Sequence, residues 1–306
     1  MTKHLKQSND HIIVNVLIGL AALIVLIGLA LQFMVTTSYP VQESARTTDT
    51  TKVATHLYGI RSRTMPASTN LTVNHYYLVG QFHQRIVARV TLSGKHYFMP
   101  AKQLTVQQSN PINAYLARRD YPHCSIKPAI DRHFAKQPYQ TFLNRPHGVI
   151  VHDTGTEHTT VASEIRYMEN NYASTGVFVH TFISASQIRN IANIHYMAQG
   201  AGPKANPYFV QFEMPHQYTS RSFARQLGNA AYYTATILRK NHLPVIKGTP
   251  HGDGTVWTHA MVSDYLGGTD HRDPNVYWAN SADDLFDTDY GINDFINLVQ
   301  AYYNRM

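Results

Sequence analysis

A single cysteine, Cys124, stands in 306 residues. That excludes an internal disulfide framework and any cysteine-built zinc knuckle or iron–sulfur site. No HExxH, CxxC, GxSxG or phosphate-loop pattern occurs either, so the commonest signatures of zinc proteases, dithiol redox proteins, serine hydrolases and nucleotide-binding domains are missing. Charge is sparse: Asp, Glu, Lys and Arg make up 15% of the chain, and Lys+Arg exceed Asp+Glu by 26 to 19. The excess is read as spread along the chain, with no Lys/Arg block of the kind nucleic-acid proteins carry. It suits an acidic polymer or a membrane surface, and no nucleic-acid partner is expected. A hydrophobic fraction of 43% describes a folded chain long enough for two modest domains or one large one. Histidine, by contrast, is abundant at 18 residues. Such a number invites metal or acid–base chemistry, and it also makes chance His pairs common.

Residues 12–35, IIVNVLIGLAALIVLIGLALQFMV, are apolar apart from Asn15 and Gln32. As a helix this run spans roughly 36 Å, enough for a hydrocarbon core of about 30 Å. A transmembrane anchor is expected over 12–35, with 1–11 as a cytoplasmic tail marked by Lys3 and Lys6 and everything beyond outside the cell. The alternative is a cleaved signal peptide and a secreted protein, but the apolar core of such a peptide is shorter, about 7–15 residues.

Residues 36–52 are Ser/Thr-rich and are expected as a flexible linker. Between 53 and 107 come the β-like runs LTVNHYYLVG, RIVARVTL and KHYFMP, broken by Gly80, Ser93-Gly94 and Pro100. They predict a small SH3-like all-β module, serving either as a binding and positioning unit or as a spacer. From 112 to 306 strands and helices alternate. GVIVHDTG, GVFVHTFI and PYFVQFEMP are expected as strands, while VASEIRYMENNY, WTHAMVSDYL and the closing INDFINLVQAYYNRM have helical character. SFARQLGNAAYYTATILRKNH predicts a long amphipathic helix with Phe223, Leu227, Ala230, Ala231, Thr234 and Leu238 on one stripe, the Thr234 hydroxyl bonding back to the preceding turn. The fold class is therefore α/β, a mixed sheet flanked by helices.

His152 follows the apolar strand 148–151, His259 lies in VWTH, and Asp273 comes fourteen residues later. Two imidazoles and a carboxylate suit zinc and leave a fourth position for water, although spacing alone does not select these three from so many histidines. Glu213, among apolar strand neighbours, would be costly to bury without a functional reason. His180 on GVFVHTFI is read either as a core histidine or as a ligand-facing one. His158, His195, His216, His242 and His251 are assigned to loops and surfaces. Trp257 is expected as a wedge beneath the site, and Gly267-Gly268 as the turn that swings Asp273 towards His259.

The wording around these residues is more specific than their spacing. GVIVHDTG, FVHTFI and GTVWTHAMVSDYLGGTDHRDP resemble the zinc-dependent N-acetylmuramoyl-L-alanine amidases of the amidase-2 family, which includes the peptidoglycan recognition proteins. The likeness is to the amidase domains of Gram-positive autolysins and runs from about 112 to the C-terminal helix. The resemblance implies His152, His259 and Asp273 as zinc ligands, Glu213 as the catalytic acid–base, His271 as a second catalytic group, and His180 in the substrate groove. It further implies hydrolysis of the amide between the lactyl group of N-acetylmuramic acid and L-alanine of the stem peptide, with peptidoglycan as partner. Non-catalytic relatives, which bind peptidoglycan without cleaving it, typically lack the third metal ligand, and Asp273 is present here.

Overall fold

An apolar run without proline favours helix, and residues Thr2–Leu31 form one, α1. The computed structural model describes the backbone of residues 2–31, 34–80 and 85–306, and side chains over 14–30, at 34, and over 37–80 and 85–306. The side chains of Lys3 and Lys6, expected to flank the span, lie outside the described residues. Among the described residues no helix is long and apolar enough to cross a membrane. The expected span over 12–35 extends beyond the side chains described on α1, those of 14–30, all of which are exposed.

The chain divides into two units, 1–104 and 105–306. In the first, the expected flexible linker is instead a strand, β1 (Val35–Thr47). The reason is an alternation hidden by the Ser/Thr-rich composition. Tyr39, Ala45 and Thr47 are buried and Val41 and Glu43 half-buried, while Ser38, Pro40, Gln42, Ser44 and Arg46 between them face solvent. β2 (Thr51–Val53) pairs with β3 (Arg63–Met65) as a separate ribbon. β4 (Asn70–Val79), β5 (Arg85–Leu92) and β6 (Lys95–Pro100) follow, and β7 (Leu104–Val106) ends the run. The five-stranded sheet has the order β6-β5-β4-β1-β7, with β1, β4, β5 and β6 pairing antiparallel. Its all-β character matches the expectation for 53–107, but the sheet begins at residue 35. Ser93 and Gly94, both at positive φ, make the two-residue β5–β6 turn. Inward-facing Glu43 accepts a 2.8 Å hydrogen bond from the Tyr76 hydroxyl, and burial raises its pKa to about 7 against the lowering effect of that bond.

The second unit opens with α2 (Pro111–Ala117), capped by Asn110. Its elements continue as β8 (Ile126–Pro128), β9 (Gly148–Val151), α3 (Val161–Thr175), β10 (Thr181–Ile183), β11 (Ile188–Asn190) and β12 (Phe209–Glu213). Then come α4 (Ser220–Lys240), β13 (Val256–Thr258), the short α5 (His259–Met261) running into a π-turn at Val262–Leu266, α6 (Asn275–Phe286) and α7 (Ile292–Arg305). The sheet order is β13-β9-β12-β10-β11-β8, with β13, β9, β12 and β10 parallel and β11 antiparallel to β10. A mixed sheet flanked by helices is thus present, as expected.

The central strands are continuous apolar runs because both faces are covered: Val149, Ile150, Val151, Val210 and Phe212 are fully buried. Capping boxes at Thr160–Ser163 and Thr219–Ser222 start α3 and α4. The whole expected stripe of α4 is buried, and the helix packs on β9, β10 and α7. Thr234 departs from expectation: its buried hydroxyl has no partner among the described residues, and Thr236 makes the bond back to the Tyr232 carbonyl instead. GVFVHTFI is a strand only over its last three residues. Trp257 is fully buried among Ile150, Phe209 and Val262, a wedge as expected, and Gly248 lies so close that a Cβ there would overlap the indole.

Candidate active site

Strand register builds the site. Val151 of β9 is level with Thr258 of β13 and with Phe212 of β12. His152, His259 and Glu213 are each the next residue, so they form one row across three neighbouring parallel strands, at their C-terminal ends. Loops beyond that edge are the usual place for a cleft in an open parallel sheet. Asp273 arrives from the other side. Gly267 and Gly268 take φ of +73° and +83°, which only glycine adopts readily. The returning segment is then latched to the helix it left: Ala260 N donates to the Asp273 carbonyl at 2.9 Å and Ser263 Oγ to the His271 carbonyl at 2.7 Å.

Three donor atoms converge as a result. His152 Nδ1 and His259 Nδ1 lie 3.0 Å apart, His152 Nδ1 is 3.3 Å from Asp273 Oδ2, and His259 Nδ1 is 3.1 Å from Asp273 Oδ1. Zinc bonds of about 2.0–2.1 Å in a tetrahedron imply donor separations of roughly 3.3 Å, so the triangle has the size and chemistry of a metal face. It is the group of His, Cys, Asp and Glu side chains among the described residues that could hold an ion. Thr269 Oγ1 lies 3.0 Å from His259 Nε2 and fixes that ring, a contact that nothing in the sequence pattern signals.

The electrostatics follow from burial. Desolvation alone would raise the Asp273 pKa, yet hydrogen bonds and charge from His152 and His259 hold it well below the ordinary carboxylate range. Burial lowers the His152 pKa, so the imidazole favours its neutral, ligating form. Glu213 is pushed the opposite way, upward, by burial first and then by the negative charges of Asp273, Asp153 and Glu164. Its Oε2 is buried without a partner among the described residues. An unpartnered carboxylate facing a cleft is expensive unless chemistry uses it.

His271 stands at the mouth. Its side chain is 65% exposed, its ring lies parallel to that of His259 at 4.6 Å, and its Nδ1 is 3.6 Å from Asp273 Oδ1. The cleft holding all five residues encloses about 670 Å³ and is also lined by Met168, Val179, Gln199 and Asn206. A second cleft of about 620 Å³ shares Asp153, Gly155, Arg272 and Asp273 with it. Asp273, one corner of the donor triangle, therefore sits where the two lobes meet. His216, assigned from sequence to the surface, lines the second lobe: its Nε2 is 2.8 Å from Asp153 Oδ1 and its ring stacks on Tyr277 at 4.1 Å.

His180 does not line the groove, which corrects the role the resemblance implied. It is 0% exposed. Nδ1 accepts from Gln211 N at 3.0 Å and Nε2 lies 2.8 Å from the Tyr196 carbonyl. Both ring nitrogens are thus used inside the core, and burial lowers its pKa to about 4. A histidine held neutral takes up its proton later than it does in the unfolded chain. Its contribution is complete above about pH 6.5 and is lost as pH falls through the window down to about 4, a cost of about 3 kcal/mol by linkage. His180→Gln is expected to flatten the pH dependence of unfolding free energy across that window without altering substrate KM. Denaturant titrations at several pH values check this, and a raised KM with unchanged pH dependence would return His180 to the groove.

Comparison with known proteins agrees with this geometry. Residues 142–276 match the family described as N-acetylmuramoyl-L-alanine amidase. The bifunctional autolysin of Staphylococcus aureus is 39% identical over 184 residues, 59% of this chain and 14% of the autolysin. That of Staphylococcus epidermidis is 38% identical over 173 residues, 56% of this chain and 13% of its own length. The chain therefore spans only a small part of these relatives. The crystal structure of the S. aureus hydrolase AmiA in complex with its ligand is 36% identical, with a TM-score of 0.59, and the match covers 64% of this chain and 92% of that one.

Proposed function

The chain belongs to the N-acetylmuramoyl-L-alanine amidase family, related to the amidase domains of Gram-positive autolysins, and we propose that it is a zinc-dependent peptidoglycan hydrolase. The bond cleaved is the amide between the lactyl group of N-acetylmuramic acid and L-alanine of the stem peptide. The observation that carries this is the convergence of His152, His259 and Asp273 beside the unpartnered carboxyl of Glu213. When bound by those three residues, zinc would supply a Lewis acid that makes water more acidic and polarises the scissile carbonyl. Glu213 takes a proton from the attacking water and passes it to the departing L-alanine nitrogen, and its raised proton affinity suits both halves of that task. His271, at the cleft mouth beside Asp273, donates to the oxyanion that develops at the carbonyl oxygen as water adds to its carbon. The water's oxygen ends in the lactyl carboxylate and its protons go to the amine and to solvent. The two lobes meeting at Asp273 accommodate the sugar side and the peptide side of the bond.

Mass spectrometry of purified wall after digestion tests this assignment. Expected are glycan strands with free lactyl carboxylates and stem peptides with a new N-terminal alanine amine. Cleavage within the glycan or between peptide residues would overturn it, and retention on the wall with no new ends would leave a binding protein.

α1 is part of the same proposal. The apolar run over 12–35, most of it within α1 and preceded by Lys3 and Lys6, supports a single-pass anchor with the catalytic unit outside the membrane. The β module then serves as a positioning unit on the wall side. Protease added to wall-stripped cells should remove residues beyond about 36, and full protection of the catalytic unit would invert the topology.

A further inference from the structure

Residues 129–147 form neither helix nor strand, yet the segment is pinned at intervals. Phe134 is buried in a cluster with Val161 and Val179 and stacks on Phe178 at 4.7 Å. Tyr139 is buried too, and its hydroxyl donates to the Ile194 carbonyl at 3.2 Å. The last turn is closed on itself: Thr141 Oγ1 accepts from Arg145 N at 2.9 Å and donates to the Arg145 carbonyl at 2.8 Å, and Asn144 N donates to the Thr141 carbonyl at 3.0 Å. What this closed turn holds outward is apolar. Phe142 is 100% exposed and Leu143 65%, where a turn in contact with water alone is ordinarily polar.

The turn has a definite place in the sheet. Gln140 N donates to the Pro207 carbonyl at 3.0 Å and His147 N to the Tyr208 carbonyl at 2.7 Å, just before β12 begins at Phe209 and β9 at Gly148. Phe142 and Leu143 therefore project from the N-terminal ends of these strands, the edge opposite the row of His152 and Glu213. The same segment is basic. Arg132, Lys136 and Arg145 are exposed and have no carboxylate partner among the described residues. Its one carboxylate, Asp131, accepts from His133 N at 2.8 Å and lies 2.7 Å from the ring of the same histidine.

We infer that the Phe142–Leu143 turn docks on an anionic lipid surface, its two apolar side chains in the headgroup–acyl boundary and Arg132, Lys136 and Arg145 at the headgroups. An aromatic and an aliphatic side chain with cations nearby is the combination that an interface of this kind rewards, the first by burial and the second by charge. The aliphatic stems of Lys and Arg let the tip sink while their heads stay in water. A hydrated glycan or phosphate polymer would satisfy the cations and leave Phe142 in water. A protein partner needs about 800 Å² on each side, and two side chains on a protruding turn offer far less. The inference goes beyond the hydrolase assignment, whose residues it does not use, and rests on the proposed anchor for the nearness of a bilayer. Because tip and catalytic row occupy opposite edges of the sheet, docking turns the cleft away from the lipid and towards the wall.

The test places a reporter, Phe142→Trp, in the full chain reconstituted into phosphatidylglycerol–phosphatidylcholine vesicles with brominated acyl chains. Trp257 and Trp278 are fully buried and give a constant background. The reporter's emission should shift to the blue and be quenched to a degree that places it about 5–10 Å into the boundary. A control reporter, Tyr167→Trp, exposed on α3, should stay unquenched. Adding Arg132→Gln, Lys136→Gln and Arg145→Gln to the first reporter, or raising the salt, should weaken the quenching. Hydrolysis of soluble muropeptides and the melting temperature should not change. An unquenched reporter in a chain that floats with the vesicles overturns the inference and leaves the anchor standing. Equal quenching of both reporters overturns it, as does a response to soluble peptidoglycan fragments in place of lipid. A chain that does not float counts against the anchor, and the same reporter read on protein added to preformed vesicles then decides the docking by itself. Failure of the hydrolase assignment would show in muropeptide turnover alone.

Discussion

Glu213→Gln is expected to abolish nearly all turnover while leaving metal content and wall binding in place. The carboxyl ends β12 in the same register row as His152 and His259, the two proposed imidazole ligands, and its Oε2 is buried without a partner among the described residues. Glutamine keeps the shape and cannot accept a proton from water. Loss of a general base of this kind costs about 10²–10⁴-fold in rate. Stability should move in the other direction or not at all, because the variant removes a carboxyl that burial and three nearby negative charges already disfavour as an anion. Turnover of a defined muropeptide, read beside metal stoichiometry and thermal melting, checks the three expectations together. Undiminished activity would hand the proton to another group, with His271 first in line.

Asp273→Ala is expected to have an effect at least as large by a different route. The carboxylate contributes the only negative charge to the donor triangle, within 3.1–3.3 Å of both imidazoles. Removing an outer partner of a metal ligand already costs about 10–100-fold in affinity, and removing the ligand itself should exceed that. Metal analysis of the purified protein should fall from about one ion per chain to near none, and hydrolysis should fall with it. The two imidazoles left facing each other also lose the charge that holds them, so a modest drop in melting temperature should accompany the loss. A variant that kept its ion and its turnover would remove Asp273 from the donor set.

Much of the second unit was legible because its signals are local and agree with one another. The apolar run 148–151, the helical stripe of α4 and the positive-φ pair Gly267-Gly268 each point to one structure. The convergence of His152, His259 and Asp273 was not derivable from spacing: it depends on β13 pairing with β9, a contact between segments about a hundred residues apart. Wording shared with a family supplied what periodicity could not. The linker at 36–52 and the place of His180 were misjudged for identifiable reasons. β1 was hidden by composition, since Ser and Thr suggest a linker even where positions 37–47 alternate in burial, and Glu43 at an inward position broke the visible pattern. His180 carries the family wording, but its hydrogen-bond partners, Gln211 N and the Tyr196 carbonyl, come from segments no sequence window brings together. Thr269 on His259 and His216 beside Asp153 are of the same kind: contacts that arise only once the loops have closed.

The latch between Ala260 N and the Asp273 carbonyl bears on the order in which the protein matures. Two donors are fixed by paired strands, and the third is fastened by main chain to the residue next to His259. No segment has to search for the ion, so the ordering entropy that often discounts metal affinity has been met during folding. If these residues hold a metal as proposed, its uptake would resemble binding to a rigid chelator. Under the proposed zinc dependence, a chain of this design would be able to fold first and take up its ion afterwards.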